Sequence, residues 1–143
     1  FFLHILIDNA LLYRYNVSWY GILVICHIHF ARKGDFAMNK YVTPELKEIS
    51  EQMKDRIEVV SISIDTETTW KKASANHNIT WHNWNDLQRE NGIFARFRVS
   101  SAPYYFLVSP EGKLIASKFG YGKGSLFKFV KETIAEHEKS RKE

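Results

Sequence analysis

The chain has 143 residues, 45% of them hydrophobic and 25% charged, a balance that predicts one globular domain with a real core and excludes a disordered chain. Its formal charge is +4, but basic and acidic residues alternate along most of the chain, so no nucleic-acid-binding stripe is expected. The single cysteine, Cys26, excludes an internal disulfide and any Cys-x-x-Cys motif, and no apolar run reaches the ~18–20 residues that span a bilayer.

Phe1 to Ile7 is apolar but lacks a preceding basic segment and runs straight into Asp8, so it is not read as an intact signal peptide. In chain order, Leu3 to Ile7 and Leu11 to Tyr15 read as two short strands about an Asp8-Asn9-Ala10 turn. Ile22 to Phe30 reads as a strand buried on both faces, because its run is almost continuously aliphatic. Thr43-Pro44 has the form of a helix start, a hydroxyl N-cap with proline in the first turn. Leu46, Ile49 and Met53 then recur at helical spacing. Ile57 to Ile64 is a second buried strand ending at Asp65, and Thr66 to Ala75 a helix that separates Trp70 and Ala73 from Lys71 and Lys72. A further short helix is expected within Asn85 to Phe97. Tyr104 to Val108 and Leu114 to Lys118 are strands joined by Ser109-Pro110-Glu111-Gly112, a type I turn signature that makes them antiparallel neighbours. Ser125 is expected to cap a last helix with Leu126, Phe127, Val130 and Ile134 in one stripe, and Glu136 to Glu143 to fray. Strands alternating with helices make this an α/β chain, with a parallel centre to its sheet and an antiparallel edge.

Three segments share a pattern: Pro44-Glu45-Leu46-Lys47-Glu48-Ile49; Ile57 to Asp65 followed by Trp70-Lys71-Lys72-Ala73; and Phe97 to Ile115, with Val99, Pro103, an aliphatic strand and Gly112. Together they resemble the thioredoxin-like superfamily in its TlpA/ResA-type (AhpC/TSA-like) branch of exported thiol-disulfide oxidoreductases, over roughly residues 21 to 135. The resemblance implies a thioredoxin-like fold, a central mixed sheet flanked by helices; with the chain's length and the strands read over 3–15, a single domain over residues 1–143 with an N-terminal β-hairpin extension is expected. The resemblance also implies a cis Ala102–Pro103 bond and a place in the bacterial cell envelope. In that family the first helix opens at Trp-Cys-x-x-Cys, eight and five residues before the proline matching Pro44. Counting back puts Phe36 and Asn39 where those cysteines stand. The loop ahead of them is one residue longer than usual, so this register can slip, but no slip supplies a thiol. The family pattern also starts the helix near Phe36 and lets Pro44 kink it, against the Thr43 start read from the local residues.

Dithiol exchange needs a low-pKa thiolate to attack and a second thiol to resolve the mixed disulfide, and Phe36 and Asn39 offer neither. No catalytic residue and no cofactor are therefore expected. Cys26 reads as a buried structural thiol, with a one-cysteine thiol oxidoreductase or peroxidase as the alternative. His27 and His29 share a strand face, and His4, His77 or His82 could join them; no short ligand motif accompanies the pair, so no metal is expected, and a His-based metal carrier stands as the third and weaker alternative. Gly120 to Ser125 fails the phosphate-loop spacing and reads as a connector. Pro103 is what survives. The resemblance implies that Ala102, just before it, offers backbone hydrogen bonds to an extended peptide. Phe36 and Tyr104 could line an apolar patch beside it, although Tyr104 suits packing equally, and Tyr105 is expected to face the core. The function expected is that of a redox-inactive binding domain whose partner is an extended peptide or protein segment, with no nucleic acid.

Overall fold

The computed structural model describes residues 21–28, 38–63, 65–85, 103–110 and 113–142. The expected hairpin over residues 3–15 lies outside these, as do the ends of the first two long strands and residues 86–97 of the expected short helix.

The two aliphatic runs form β1 (Ile22–Ile28) and β2 (Ile57–Ser63), which pair in parallel with Ile22 opposite Ile57 and Cys26 opposite Ser61. Parallel neighbours need a crossover connection, which is usually helical. It is supplied by a π-helical turn (Met38–Val42) leading into α1 (Thr43–Gln52). Thr43 is therefore not the N-cap that its sequence suggests. Val42 before it is already helical, at φ −70° and ψ −48°, and no side chain caps α1. The earlier start implied by the family pattern is the better account. In an α-helical register the Lys40 carbonyl would face the hydrogen-less nitrogen of Pro44, and the wider winding of the π turn relieves that mismatch.

After β2, Thr66 caps α2 (Glu67–Asn76), its hydroxyl accepting the Thr69 N–H at 3.3 Å. The helix closes with Asn78 at φ 49°, where the Ile79 N–H reaches the Ser74 carbonyl and the Asn78 N–H that of Ala75, a Schellman arrangement. A strand that the sequence reading did not include follows: β3 (His82–Asn85) adds in parallel to β2, so Asn85 ends a strand and does not begin a helix. β4 (Tyr104–Val108) and β5 (Leu114–Phe119) are antiparallel neighbours as expected, and β4 also runs antiparallel to β1. The sheet order is β3-β2-β1-β4-β5, with β1 at its centre.

The last helix, α3 (Ser125–Lys142), follows Gly124, whose φ of +77° favours glycine. Two expectations fail here. The Ser125 hydroxyl turns back to accept the Gly122 N–H at 3.1 Å, and the helix runs on through the polar tail to Lys142. On one face of the sheet, Val24, Cys26, Val59, Tyr105 and Leu107 pack against Leu46, Ile49 and Met53 of α1 and Leu126, Val130 and Ile134 of α3. Each fully buried aliphatic side chain contributes about 1.5–3 kcal/mol, so this layer is the main support of the fold.

Candidate functional site

Among the expected site residues, Phe36 and Ala102 lie outside the described residues. Asn39 falls within the π-helical turn, with no side-chain placement described. Pro103 and Tyr104 are described in full, and so is Cys26.

Pro103 is half-buried, and its carbonyl accepts the Gly120 N–H at 3.0 Å. That bond ties the proline loop to the segment that follows β5. Tyr104 opens β4 between His27 of β1 and Phe119 of β5. Its ring stacks on Phe106 at a 4.9 Å centroid distance and lies 6.0 Å from Phe119, which is 59% exposed. Tyr104 is thus packed within a ring cluster whose outer member, Phe119, meets solvent. Alternation along the strand sends Tyr105 the other way, into the core, where it is 1% exposed.

Cys26 sits mid-strand between Ser61 and Tyr105 on the neighbouring strands and is 0% exposed. Burial pushes its thiol pKa well above the ordinary value, because a thiolate there would lose its hydration. One-cysteine chemistry needs an accessible, acidified thiol. This environment supplies the reverse on both counts.

The histidines whose side chains are described, His77, His82 and His137, stand on separate elements. His82 Nε2 lies 3.3 Å from Glu58 Oε2 across the β3–β2 edge, and His77 caps the C-terminus of α2. No side-chain placement is described for His27, and His29 and His4 lie outside the described residues. Among the described residues no three His, Cys, Asp or Glu side chains converge on a point that could hold a metal. Gly120 to Ser125 is a turn, as its sequence suggests: Ser125 N–H donates to the Gly122 carbonyl at 2.8 Å, and Gly120 has φ +93°.

Sequence reasoning missed Glu45. On α1 it should point outward, yet the residue is 7% exposed, and its Oε1 accepts the Phe127 N–H at 2.9 Å. A carboxylate from one helix thereby caps the N-terminus of another, satisfying an orphan donor and opposing the positive end of the helix dipole. Burial raises the Glu45 pKa, the Phe127 N–H pulls it down, Glu48 raises it further and the Leu126 N–H lowers it, leaving it above the usual carboxylate value. Nearby, Tyr41 of the π turn stacks on Tyr121 at 5.1 Å. No local pattern could pair residues so far apart in sequence. Among the described residues no helix is long and apolar enough to cross a membrane.

A family model described as thioredoxin-like matches residues 27–114. Among solved structures, the thioredoxin domain of a thiol-disulfide oxidoreductase from Bacteroides vulgatus superposes with a TM-score of 0.65 at 21% identity, covering 80% of this chain and 79% of that one. A thiol:disulfide interchange protein from a Bacteroides species gives 0.66 at 20% identity, covering 80% and 74%. At such identities these likenesses speak for the fold. No match is found among proteins of curated function.

Proposed function

The chain belongs to the thioredoxin-like family, and from that premise we propose that it is a redox-inactive binding domain of TlpA/ResA-type descent, engaging an extended peptide at its proline loop. The observation that carries this reading is the state of Cys26. It is the chain's only thiol, it is wholly buried, and its environment opposes ionisation. Thiol-disulfide exchange begins with a thiolate in contact with its target. The family's cysteine positions, matched to Phe36 and Asn39, hold a ring and an amide.

Peptide binding by strand addition needs only exposed backbone donors and acceptors with apolar pockets beside them. In this proposal Ala102 supplies the backbone groups, since the Pro103 carbonyl is already engaged by Gly120. Phe36 and Tyr104 form the apolar margin, and Phe119 extends it at the sheet edge. A single domain over residues 1–143, with its core over 21–135, is part of the same proposal.

Insulin reduction by dithiothreitol, followed by turbidity, tests it. Wild type and Cys26→Ala should both stay at the uncatalysed rate, and the double substitution Phe36→Cys with Asn39→Cys should accelerate the reaction. Catalysis by the wild type that Cys26→Ala abolishes would refute the proposal. Binding is tested separately with a library of extended peptides: a bound sequence should be lost on Tyr104→Asp, and retention of its affinity would remove the proline loop as the site.

A further inference from the structure

A groove of about 580 Å³ runs between α1 and the start of α3, and neither Tyr104 nor Pro103 lines it. Its apolar lining is Tyr41, Pro44, Tyr121 and Phe127, with the stacked Tyr41–Tyr121 pair forming one wall. Four exposed lysines surround that lining: Lys40, Lys123, Lys128 and Lys131, from the π turn, the loop and α3. Lys40 Nζ lies 5.2 Å over the Tyr41 ring, so one of these ammonium groups rests directly on the aromatic wall. Among the described residues two carboxylates also line the groove, but Glu45 is turned inward onto the Phe127 N–H, leaving Glu48 as the one exposed acid described there. Lys128 also faces Glu132 at 3.9 Å, an exposed helical pair of little strength.

We propose that this groove docks an acidic peptide segment of a partner protein, with an apolar or aromatic anchor against the Tyr41, Pro44, Tyr121 and Phe127 surface and carboxylates facing the lysines. Charge complementarity selects the occupant. Elsewhere on the chain cations alternate with anions, and the whole molecule carries only +4, whereas the described lining here has four exposed lysines and one exposed carboxylate, with Glu132 beside Lys128. A basic segment is repelled, whereas an acidic one gains attraction from the exposed lysines. A lone phosphate ion would leave most of the apolar lining in water, and a peptide covers both. The proposal stands whether or not the proline loop binds a ligand, since, among the described residues, neither Pro103 nor Tyr104 lines the groove.

The test is fluorescence anisotropy with a fluorescein-labelled peptide, Asp-Glu-Asp-Leu-Phe-Glu-Asp-Glu, against the whole chain. Saturable binding is expected, weakened at least tenfold by the triple substitution Lys123→Glu, Lys128→Glu and Lys131→Glu. Tyr121→Ala should weaken it severalfold, and so should raising salt from about 0.05 to about 0.3 M, where screening shortens the reach of the charges. Circular dichroism of each variant confirms that it is folded. Three results overturn the proposal: no saturable binding; equal weakening by reversal of the exposed Lys72, Lys113 and Lys139 outside the groove; or tighter binding of an oligothymidylate than of the peptide. Loss of the proline-loop reading through Tyr104→Asp leaves these outcomes untouched, so the two sites are judged separately.

Discussion

Replacing Glu45 with alanine removes the one side chain shown bridging α1 to the start of α3 by a hydrogen bond. The Oε1 to Phe127 N–H contact at 2.9 Å is charge-assisted and buried, and such bonds contribute about 1.5–3 kcal/mol. Part of that is offset, because burial already penalises the ionised carboxyl, as its raised pKa records. The substitution also leaves the Phe127 donor without its acceptor. A net loss of about 1–2 kcal/mol follows, or roughly 3–6 °C in Tm for a chain of this size. Glu45→Gln keeps an acceptor oxygen and should cost about half as much. The pH dependence has a definite sign. The native state holds the Glu45 proton more tightly than the unfolded chain does, so this group's contribution is fully present below the unfolded carboxyl pKa. It is lost as pH rises through the higher native value. Wild type should therefore gain on Glu45→Gln as pH falls from about 7 to about 4. Urea titrations of the three proteins across that range, read by circular dichroism, measure both effects. A Glu45→Ala midpoint equal to wild type, or a wild-type advantage over Gln that grows with pH, would refute the reasoning.

Cys26 should react with a disulfide reagent only as fast as the native chain opens, so labelling should accelerate with urea; stoichiometric reaction within seconds in native buffer contradicts its burial. Gly21→Ala should cost about 1–3 kcal/mol by urea denaturation. A Cβ there would stand 2.3 Å from the Arg56 carbonyl oxygen, beside the 2.9 Å bond from Ile22 N–H that starts the β1–β2 pairing, and an unchanged midpoint would show that the backbone yields freely. The Tyr105 hydroxyl is buried with no partner among the described residues, so Tyr105→Phe should fall between no change and a gain of about 1 kcal/mol. Loss of the ring in Tyr105→Ala should cost about 3–5 kcal/mol, and a Phe variant as damaged as Ala would mean that the hydroxyl is bonded.

Where a segment's environment repeats its own pattern, the sequence was legible. β1 and β2 are aliphatic because both faces are covered, and α2 carries its start signal in Thr66. β3 is different. His82, Asn83, Trp84 and Asn85 show no hydrophobic alternation. They stay in the sheet through the ladder to β2 and through side chains, with Ser61 Oγ donating to Asn83 Oδ1 at 2.8 Å and Asn85 Nδ2 to the Asp65 carbonyl at 2.9 Å. Those partners lie about twenty residues away, beyond any local reading. Glu45 was missed for the same reason, because its bond to the Phe127 N–H joins residues that only the folded chain brings close. Ser125 differs: its hydroxyl accepts from Gly122, three residues back, where a cap would have faced the helix ahead.

That distinction bears on how a family member can lose sulfur chemistry and keep its architecture. The described contacts that hold the proline loop and the helix entry are made without thiols. Pro103 is tied to Gly120 by a backbone bond, Tyr121 beside Gly120 stacks on Tyr41, and Glu45 fastens α1 to α3. On the proposed reading a dithiol at positions 36 and 39 would add reactivity to this frame, and none of these described contacts is made by a thiol. The double substitution Phe36→Cys with Asn39→Cys examines that argument from the other side. If the frame is independent of the thiols, the reduced variant should unfold at nearly the wild-type urea midpoint, within about 0.5 kcal/mol, as for a change outside the core. A loss of several kcal/mol would mean that Phe36 had become a structural plug where a reactive group once stood, and the loop could then no longer be read as free to bind.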